Sequence, residues 1–230
     1  MTNREIKKYI DRLNNGKSGE SIFIRPISEN VDVAKVWSEQ PKITDEIVGN
    51  FGSHRFFFIK NEQSKYVGAV LDMNRDLHWF IVANSRKKGY LTNALKESIL
   101  PYLFNKERGN QRLTIEKSLI GEQNYLNSRR VADKLGFKAI NQDKTEFDLK
   151  QSEFDWENEN LNEKNTEIKP QRFEELRKRA FYAFKTLSKI SDELLMTIDD
   201  DKELKEVTDE VKNYTWKIED LEWENKKTKG

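Results

Sequence analysis

The chain of 230 residues contains no cysteine and only two histidines, His54 and His78. Without cysteine there can be no disulfide framework, no thiolate zinc site and no cysteine nucleophile, and with two imidazoles we expect no metal site. Residues 1–15 are strongly charged, unlike a secretory signal. The longest apolar runs, residues 56–59 and 79–83, are far shorter than the ~20 residues of a membrane-spanning helix. We therefore expect a cytoplasmic protein without membrane attachment.

The near-neutral net charge of +1 conceals an uneven distribution along the chain. Residues 1–150 contain 26 Lys and Arg against 19 Asp and Glu, whereas residues 151–230 contain 15 against 21. The front part is therefore basic and the rear part acidic. This asymmetry favours an anionic ligand for the front part or contact between the two parts, and salt screens both effects.

The front part alternates between two apolar periodicities. Six segments show the alternation that predicts a β-strand: residues 21–25, 55–59, 66–72, 77–83, 112–117 and 145–149. Four segments show helical spacing: residues 30–39, 44–50, 91–104 and 127–135, the last of them stopped by Gly136. Strands interleaved with helices in this order indicate an α/β or α+β sheet domain over residues 1–150.

The rear part begins with a polar segment and continues with helical periodicity. Residues 151–170 are rich in Asn and Glu, lack a clear period and end at a proline, so we predict a linker there. Beyond it, apolar residues recur three and four positions apart from Phe173 to Ile198 and again from Leu204 to Leu221. Residues 171–230 are therefore predicted to form a helical hairpin.

A hairpin of only two helices exposes part of each apolar stripe. We expect it to associate with a second copy, which would make the protein a homo-oligomer through residues 171–230. Packing of the hairpin on its own front domain is the simpler alternative. Membrane attachment is not expected, because the polar faces carry many acidic residues instead of a basic excess.

The segment that most strongly indicates chemistry joins a predicted strand to a predicted helix. It reads Ala83-Asn-Ser-Arg-Lys-Lys-Gly-Tyr-Leu-Thr-Asn-Ala-Leu95. The first turn of a helix presents unpaired N–H groups and a partial positive charge, which together favour a bound phosphate. The cations at residues 86–88 add charge, and Gly89 lets the backbone approach a ligand closely. A helix entry with a solvated basic run is the plain alternative.

A second segment follows one strand and one helix later, from Asn127-Ser128 to Leu135-Gly136-Phe137. Together with the loop Arg86-Lys-Lys-Gly89, it resembles the GNAT superfamily of acyl-CoA-dependent N-acyltransferases, which combines an Arg/Gln-x-x-Gly loop with such a later segment. The form Gly-Tyr-Leu-Thr-Asn-Ala is most similar to the branch that includes ribosomal-protein N-terminal acetyltransferases. The resemblance covers about residues 20–150 and implies a mixed, mostly antiparallel sheet flanked by helices.

The resemblance implies acetyl-CoA as co-substrate and a primary amine as acceptor, either a protein or peptide terminus or a small amine. Direct attack of the amine on the thioester needs no covalent enzyme intermediate and hence no cysteine. The residues implied in binding acetyl-CoA are Phe80, Ile81 and Val82 through main-chain groups, Arg86, Lys87, Lys88, Gly89, Tyr90, Leu91 and Thr92 around the pyrophosphate, and Asn124 and Asn127 at the pantetheine amides. An asparagine before a helix is equally a helix cap.

Direct attack requires a base for the amine and a proton donor for the departing thiolate. Ser128 is the first candidate donor and Tyr125 the second, while His78 and Glu116, on predicted strands, are the candidate bases. The chain departs from the family pattern twice. The family often has Gly or Ala where Leu91 stands, and many members have a general-acid tyrosine at the position of Ala132 in this sequence.

These departures support a second hypothesis, in which a catalytically degenerate GNAT-like domain serves as a binding or scaffold protein that associates through its C-terminal helices. A third possibility is contact with nucleic acid through a basic face of residues 86–88, Arg129, Arg130 and Lys134. We do not expect nucleic-acid binding, because a site for the phosphates of CoA already explains cations in this region.

Overall fold

The structure is a computed structural model that describes residues 1–45, 52–106, 108–163, 168–198 and 202–227. The chain divides into two compact units, Met1–Asn165 and Thr166–Gly230. The first unit continues beyond residue 150, where the sequence pattern indicated its end. None of the helices within the described ranges is both long and apolar enough to cross a lipid bilayer.

A five-stranded antiparallel sheet lies at the centre of the first unit. Its strands are neighbours in chain order: β1 (Ile22–Pro26), β2 (Val31–Val36), β3 (His54–Lys60), β4 (Tyr66–Asp72) and β5 (Leu77–Ile81). Side chains of β3 alternate between the two faces, so Phe57 packs in one core cluster while Phe56 and Phe58 pack in the other. Because both faces are covered, residues 56–59 are all apolar.

Helix α1 (Asn3–Asn14) covers one face of this sheet. A capping box starts the helix: the N–H of Glu5 donates to the Thr2 hydroxyl, and the N–H of Thr2 donates to the Glu5 carboxylate. Ile6, Tyr9 and Ile10 follow at the spacing of one helical face and are buried against the sheet. Helix α1 was not among the predicted elements, although this spacing is visible in the sequence.

The opposite face of the sheet packs against a helical segment over residues 90–106 and a second sheet. The helical segment consists of α2 (Tyr90–Ala94), a π-helical turn (Leu95–Ile99) and α3 (Leu100–Lys106). The second sheet is antiparallel, in the order β6 (Asn110–Thr114), β8 (Glu146–Lys150) and β7 (Lys138–Ala139). Helices α4 (Lys117–Ile120) and α5 (Glu122–Lys134) lie between β6 and β7 in the chain. The prediction of a mixed α+β fold with C-terminal helices is thus confirmed.

Residues 30–39 were predicted as a helix, and this prediction is wrong, because residues 31–36 form β2. Val31, Val33 and Val36 are β-branched residues that suit a strand, and β2 pairs with β1 on one side and β3 on the other. Pairing with two distant segments therefore outweighs the local helical spacing. The helix predicted over residues 44–50 lies mostly outside the described residues.

A linker was predicted over residues 151–170, and its described part up to residue 163 packs within the first unit. The rings of Phe154 and Trp156 lie 5.3 and 6.3 Å from the ring of Phe104, centroid to centroid. The backbone N–H of Asn160 donates to a carbonyl of the π-helical turn at 2.7 Å. Two aromatic residues within a polar segment are the sequence signal for this attachment, because large aromatic side chains are commonly buried.

The second unit consists of two long antiparallel helices, α6 (Pro170–Ile198) and α7 (Lys202–Lys227), which pack on each other. Arg177 on α6 and Glu219 on α7 form an ion pair across the hairpin at 3.0 Å. The three-four spacing of apolar residues therefore predicted both helices.

Candidate functional site

Strand β5 is at the edge of the five-stranded sheet, and its open edge faces β6 of the second sheet. Where β5 begins and β6 ends, Oδ1 of Asp76 accepts hydrogen bonds from the backbone N–H groups of Leu77 at 2.8 Å and Thr114 at 3.0 Å. Within the described parts of the chain, no backbone hydrogen bond joins β5 to β6. The strands leave a gap that forms part of a cavity of about 790 Å³.

This cavity brings together most of the residues that the sequence predicted for the site. Those that line it are Phe80, Ile81, Arg86, Lys87, Lys88, Gly89, Tyr90, Leu91, Thr92, His78, Glu116, Asn124, Asn127 and Ser128. Val82 and Tyr125 are not among the lining residues. Segments that are as much as 50 positions apart in the sequence, β5 and α5, thus meet at one cavity.

Main-chain groups of β5 point alternately to the two edges of the strand. The N–H of Val82 donates to the carbonyl of Val67 on β4 at 3.0 Å, so Phe80, two residues earlier, also turns its N–H toward β4. The N–H groups of Trp79 and Ile81 consequently face the gap. The sequence predicted that main-chain groups of Phe80, Ile81 and Val82 face the ligand. The structure corrects these to Trp79 and Ile81, because the N–H groups of only every second residue of a strand point to the same edge.

The loop after β5 turns sharply before the helical segment begins. Lys87 and Gly89 both adopt the left-handed region, with φ of 62° and 88°. The N–H of Asn93 donates to the carbonyl of Gly89 at 2.9 Å and is the first in this helix to find a backbone acceptor. Among the described residues, the N–H groups of residues 87–92 have no protein acceptor. They are available to an anion.

Cations are concentrated on the loop side of the cavity. They come from the loop and from α5: Arg86, Lys87, Lys88, Arg130 and Lys134. Nε of Arg86 donates to the carbonyl of Ile81 at 3.0 Å, which ties the loop to the end of β5. Asp76 lies immediately before β5, and the loop follows the end of β5. The strand is about 17 Å long and therefore separates the Asp76 carboxylate from the loop cations. The cavity therefore has a basic end and, near the start of β5, a carboxylate.

The imidazole of His78 lies on β5 and lines the cavity. Its Nε2 is 2.9 Å from Oδ1 of Asn3 on α1. Because an amide oxygen only accepts hydrogen bonds, this contact assigns the proton to Nε2 and leaves the lone pair on Nδ1. Burial lowers the pKa of His78 below its ordinary value of 6.5, so the ring is mostly neutral at pH 7.

The remaining polar candidates come from β6 and α5. Glu116 was expected on a strand but lies immediately before α4, beyond the end of β6. Ser128 and Asn127 are half-buried on α5 where it lines the cavity. Nδ2 of Asn124 donates to the carbonyl of Ile120 at 2.8 Å, so its amide group stabilises the junction between α4 and α5.

Tyr125 does not join this group. Its side chain is buried in the core, and its hydroxyl donates to the carbonyl of Lys144 at 3.0 Å. Tyr125 is therefore not a proton donor at the cavity. Three residues along a helix correspond to a rotation of about 300°, so the side chains of Tyr125 and Ser128 point about 60° apart. Ala132 is fully buried. Leu91 is half-buried and packs against the core cluster, so its side chain also has contacts away from the cavity.

The cavity residues that the sequence did not predict include Asn3, Asp76 and Trp79. Trp79 could have been found from strand alternation once the pairing of β5 was known. Asn3 and Asp76 carry no local signal, since each acts through a partner that is distant in the sequence. Among the described residues, no group of three or more His, Asp and Glu side chains could hold a metal ion.

The chain was compared with models of known protein families, with curated proteins and with solved structures, and no match was found.

Proposed function

We propose that the protein is a GNAT-like N-acetyltransferase that moves the acetyl group of acetyl-CoA to a primary amine by direct attack. The observation that carries the proposal is the gap between β5 and β6. One strand edge there offers main-chain donors beside a loop whose N–H groups have no acceptor in the part of the chain that the structure describes. An extended pantetheine arm matches such an edge, and a pyrophosphate matches such a loop.

The residues around the cavity fit acetyl-CoA. The N–H groups of residues 87–92 would bind the pyrophosphate, and Lys87, Lys88 and Arg130 would add positive charge beside it. The N–H groups of Trp79 and Ile81 would bind the pantetheine amides or the thioester carbonyl. Acetyl-CoA, when bound, supplies an activated acetyl group.

Side chains at the same cavity can handle the protons. Nδ1 of His78 carries a lone pair and would take the proton of an ammonium acceptor, with the carboxylate of Glu116 as the second candidate base. The hydroxyl of Ser128 is the candidate donor to the leaving sulfur. These roles predict two different effects. His78→Gln lowers kcat/KM mainly for strongly basic amines, which are protonated at neutral pH and need a base, whereas Ser128→Ala lowers kcat and leaves acetyl-CoA affinity unchanged.

Acetyl-CoA binding is tested by thermal unfolding, because a ligand that binds only the folded state stabilises it by RT ln(1 + [L]/Kd) and raises the unfolding temperature. We expect stabilisation that increases with the acetyl-CoA concentration above Kd, and at least a ~10-fold loss of affinity when Lys87 and Lys88 are both changed to alanine. Lys7→Ala with Lys8→Ala is the matched control, since these adjacent lysines of α1 are exposed and do not line the cavity. No thermal shift at millimolar acetyl-CoA would overturn the proposal.

Turnover is tested separately, by release of free thiol from acetyl-CoA when peptides with a free amino terminus or small amines are present. The buried Ala132 favours one alternative outcome, because it leaves no hydroxyl at the position of the family's general-acid tyrosine. If acetyl-CoA binds and no amine causes thiol release, the domain is a degenerate binding module instead of an enzyme.

A further inference from the structure

The two helices of the hairpin contact each other through a seam of residues spaced three and four apart. On α7 this seam includes Thr208, Val211, Thr215 and Ile218, which are buried or half-buried. On α6 the corresponding half-buried residues are Ala180, Phe184, Ser188 and Ser191. The seam is therefore partly polar, and it leaves several of the larger apolar side chains outside.

Those apolar side chains occupy the positions that immediately precede seam positions. On α7 they are Val207, Tyr214 and Leu221, with exposed fractions of 61%, 61% and 56%. On α6 they are Leu187 and Ile190, exposed to 36% and 49%. One residue corresponds to about 100° of rotation around a helix, so each set forms a stripe roughly perpendicular to the seam.

Both stripes lie on the same side of the hairpin. Seen from one end of the hairpin, the residue that precedes a seam residue is rotated about 100° clockwise on one helix and about 100° anticlockwise on the other, because the two helices run in opposite directions. The seam sides of the two helices face each other, so these opposite rotations bring both stripes to the same side. The residues that follow seam positions lie on the opposite side. That side also exposes Phe181, Leu195, Trp216 and Trp223, but charged groups lie over part of it. The Arg177–Glu219 ion pair is on this side, and the Nζ atoms of Lys185 and Lys212 lie 5.8 and 6.0 Å from the ring centroids of Phe181 and Trp216. We refer to the side with the two stripes as the apolar side.

The size of the apolar side suits a stable dimer. Helices of 26 and 29 residues are about 40 Å long, and two helices packed 8–10 Å apart present a face about 20 Å wide. The product is on the order of 800 Å² for each partner, which is the usual size of a specific interface.

Charge favours one arrangement of the two copies. Helix α6 carries six Lys and Arg against four Asp and Glu, whereas α7 carries six against eight. A two-fold axis parallel to the helices puts α6 of one copy on α7 of the other and pairs helices of opposite net charge. A perpendicular axis puts α7 on α7 and brings two acidic helices together.

We propose that the apolar side formed by Leu187, Ile190, Val207, Tyr214 and Leu221 binds the same side of a second copy of this chain, and that the two hairpins form an antiparallel four-helix bundle. The dimer is independent of acetyl-CoA binding, since none of these residues lines the cavity. In the bundle, each α6 packs on the partner's α7.

The full-length protein tests this by sedimentation equilibrium at micromolar concentration. We expect twice the chain mass of 27.3 kDa for the native sequence and for the control, and 27.3 kDa for the variant with Tyr214→Glu and Leu221→Glu. The control, Trp216→Glu with Trp223→Glu, changes two equally exposed residues at the same spacing on the same helix but on the opposite side. A monomeric native protein, or dissociation of the control alone, overturns the proposal.

Loss of helix in the Tyr214 and Leu221 variant, measured by circular dichroism, would make its mass uninformative. The chain has no cysteine, so Leu187→Cys carries a spin label at one defined place. Labels on two copies should couple at about 20 Å or less, and dilution with unlabelled protein should remove the coupling. Absence of coupling in the undiluted sample overturns the proposal even if the glutamate variant does not fold.

Discussion

The carboxylate of Asp76 accepts a hydrogen bond from the backbone N–H of Thr114, with Oδ1 and N 3.0 Å apart. The same oxygen accepts from the N–H of Leu77, so one side chain replaces the sheet hydrogen bonds at the place where β5 and β6 separate. Beyond this point the open edge of β5 borders the cavity. Asp76 therefore closes the narrow end of the gap.

Replacing Asp76 by alanine should weaken this closure. Two N–H groups lose their acceptor, which costs about 1–3 kcal/mol of unfolding free energy if they remain shielded from water. The affinity for acetyl-CoA should fall with it, because β5 and β6 are no longer held at a defined separation. Urea unfolding and calorimetric titration measure the two quantities. Asp76→Asn retains an oxygen acceptor, so equal losses in the alanine and asparagine variants would show that the hydrogen bonds are unimportant.

Gly68 on β4 is opposite Ile81 on β5. A Cβ at Gly68 would lie 2.9 Å from the carbonyl oxygen of Phe80 and closer still to Cδ1 of Ile81. Gly68→Ala should therefore displace β5, lower the unfolding free energy by about 1–3 kcal/mol and weaken acetyl-CoA binding, because Ile81 lines the cavity. Gly109→Ala is the control, since a Cβ there meets no atom within 4 Å. If the two variants have the same free energy of unfolding, the close approach of β4 and β5 does not require glycine at residue 68.

Gly89 adopts φ of 88° at the start of the helical segment. Alanine in this region costs about 1 kcal/mol, and the strain can relax only if the loop changes its course. Gly16 has φ of 65° in a turn that does not line the cavity, and a Cβ there would meet nothing within 4 Å. We expect both alanine variants to lose similar stability in urea, whereas only Gly89→Ala loses acetyl-CoA affinity. Unchanged acetyl-CoA affinity in Gly89→Ala would show that the loop is not part of the binding site.

The half-buried imidazole of His78 predicts a dependence of stability on pH. Its pKa is lower in the folded protein than the ordinary 6.5, so below that pH the unfolded state binds more protons than the folded state. The stability contributed by the neutral ring is therefore complete above pH 6.5 and is lost as the pH falls toward the folded pKa. Proton NMR of the imidazole should give a midpoint below 6.5.

The variant His78→Asn should show a weaker decline of unfolding free energy between neutral pH and the midpoint measured for His78. His54→Asn provides the comparison and also assigns the two imidazole resonances. A His78 midpoint at or above 6.5 would contradict both the burial argument and the neutral base in the proposed mechanism.

The sequence predicted those parts of the fold in which local pattern and final structure agree. Short apolar runs at residues 55–59 and 66–72 mark two central strands, and Gly136 follows α5 with φ of 87°, as expected of a helix stop. The loop at residues 86–89 stood out because its composition and its position before a helix need no tertiary information. Residues 31–36 show the opposite case, since their strand exists only through pairing with two other strands.

By itself, the sequence determined the basic front part, the absence of thiol chemistry, the loop and helix that could bind an anion, and the two long helices near the C-terminal end. Only the tertiary structure decided that β5 and β6 separate, that Trp79 rather than Phe80 turns its N–H into the gap, and that Tyr125 lies in the core while Ser128 lines the cavity. It also decided which exposed apolar residues share a side of the hairpin. Periodicity along a chain reports the direction of a side chain relative to its own helix or strand, whereas these features depend on which distant segment packs beside it.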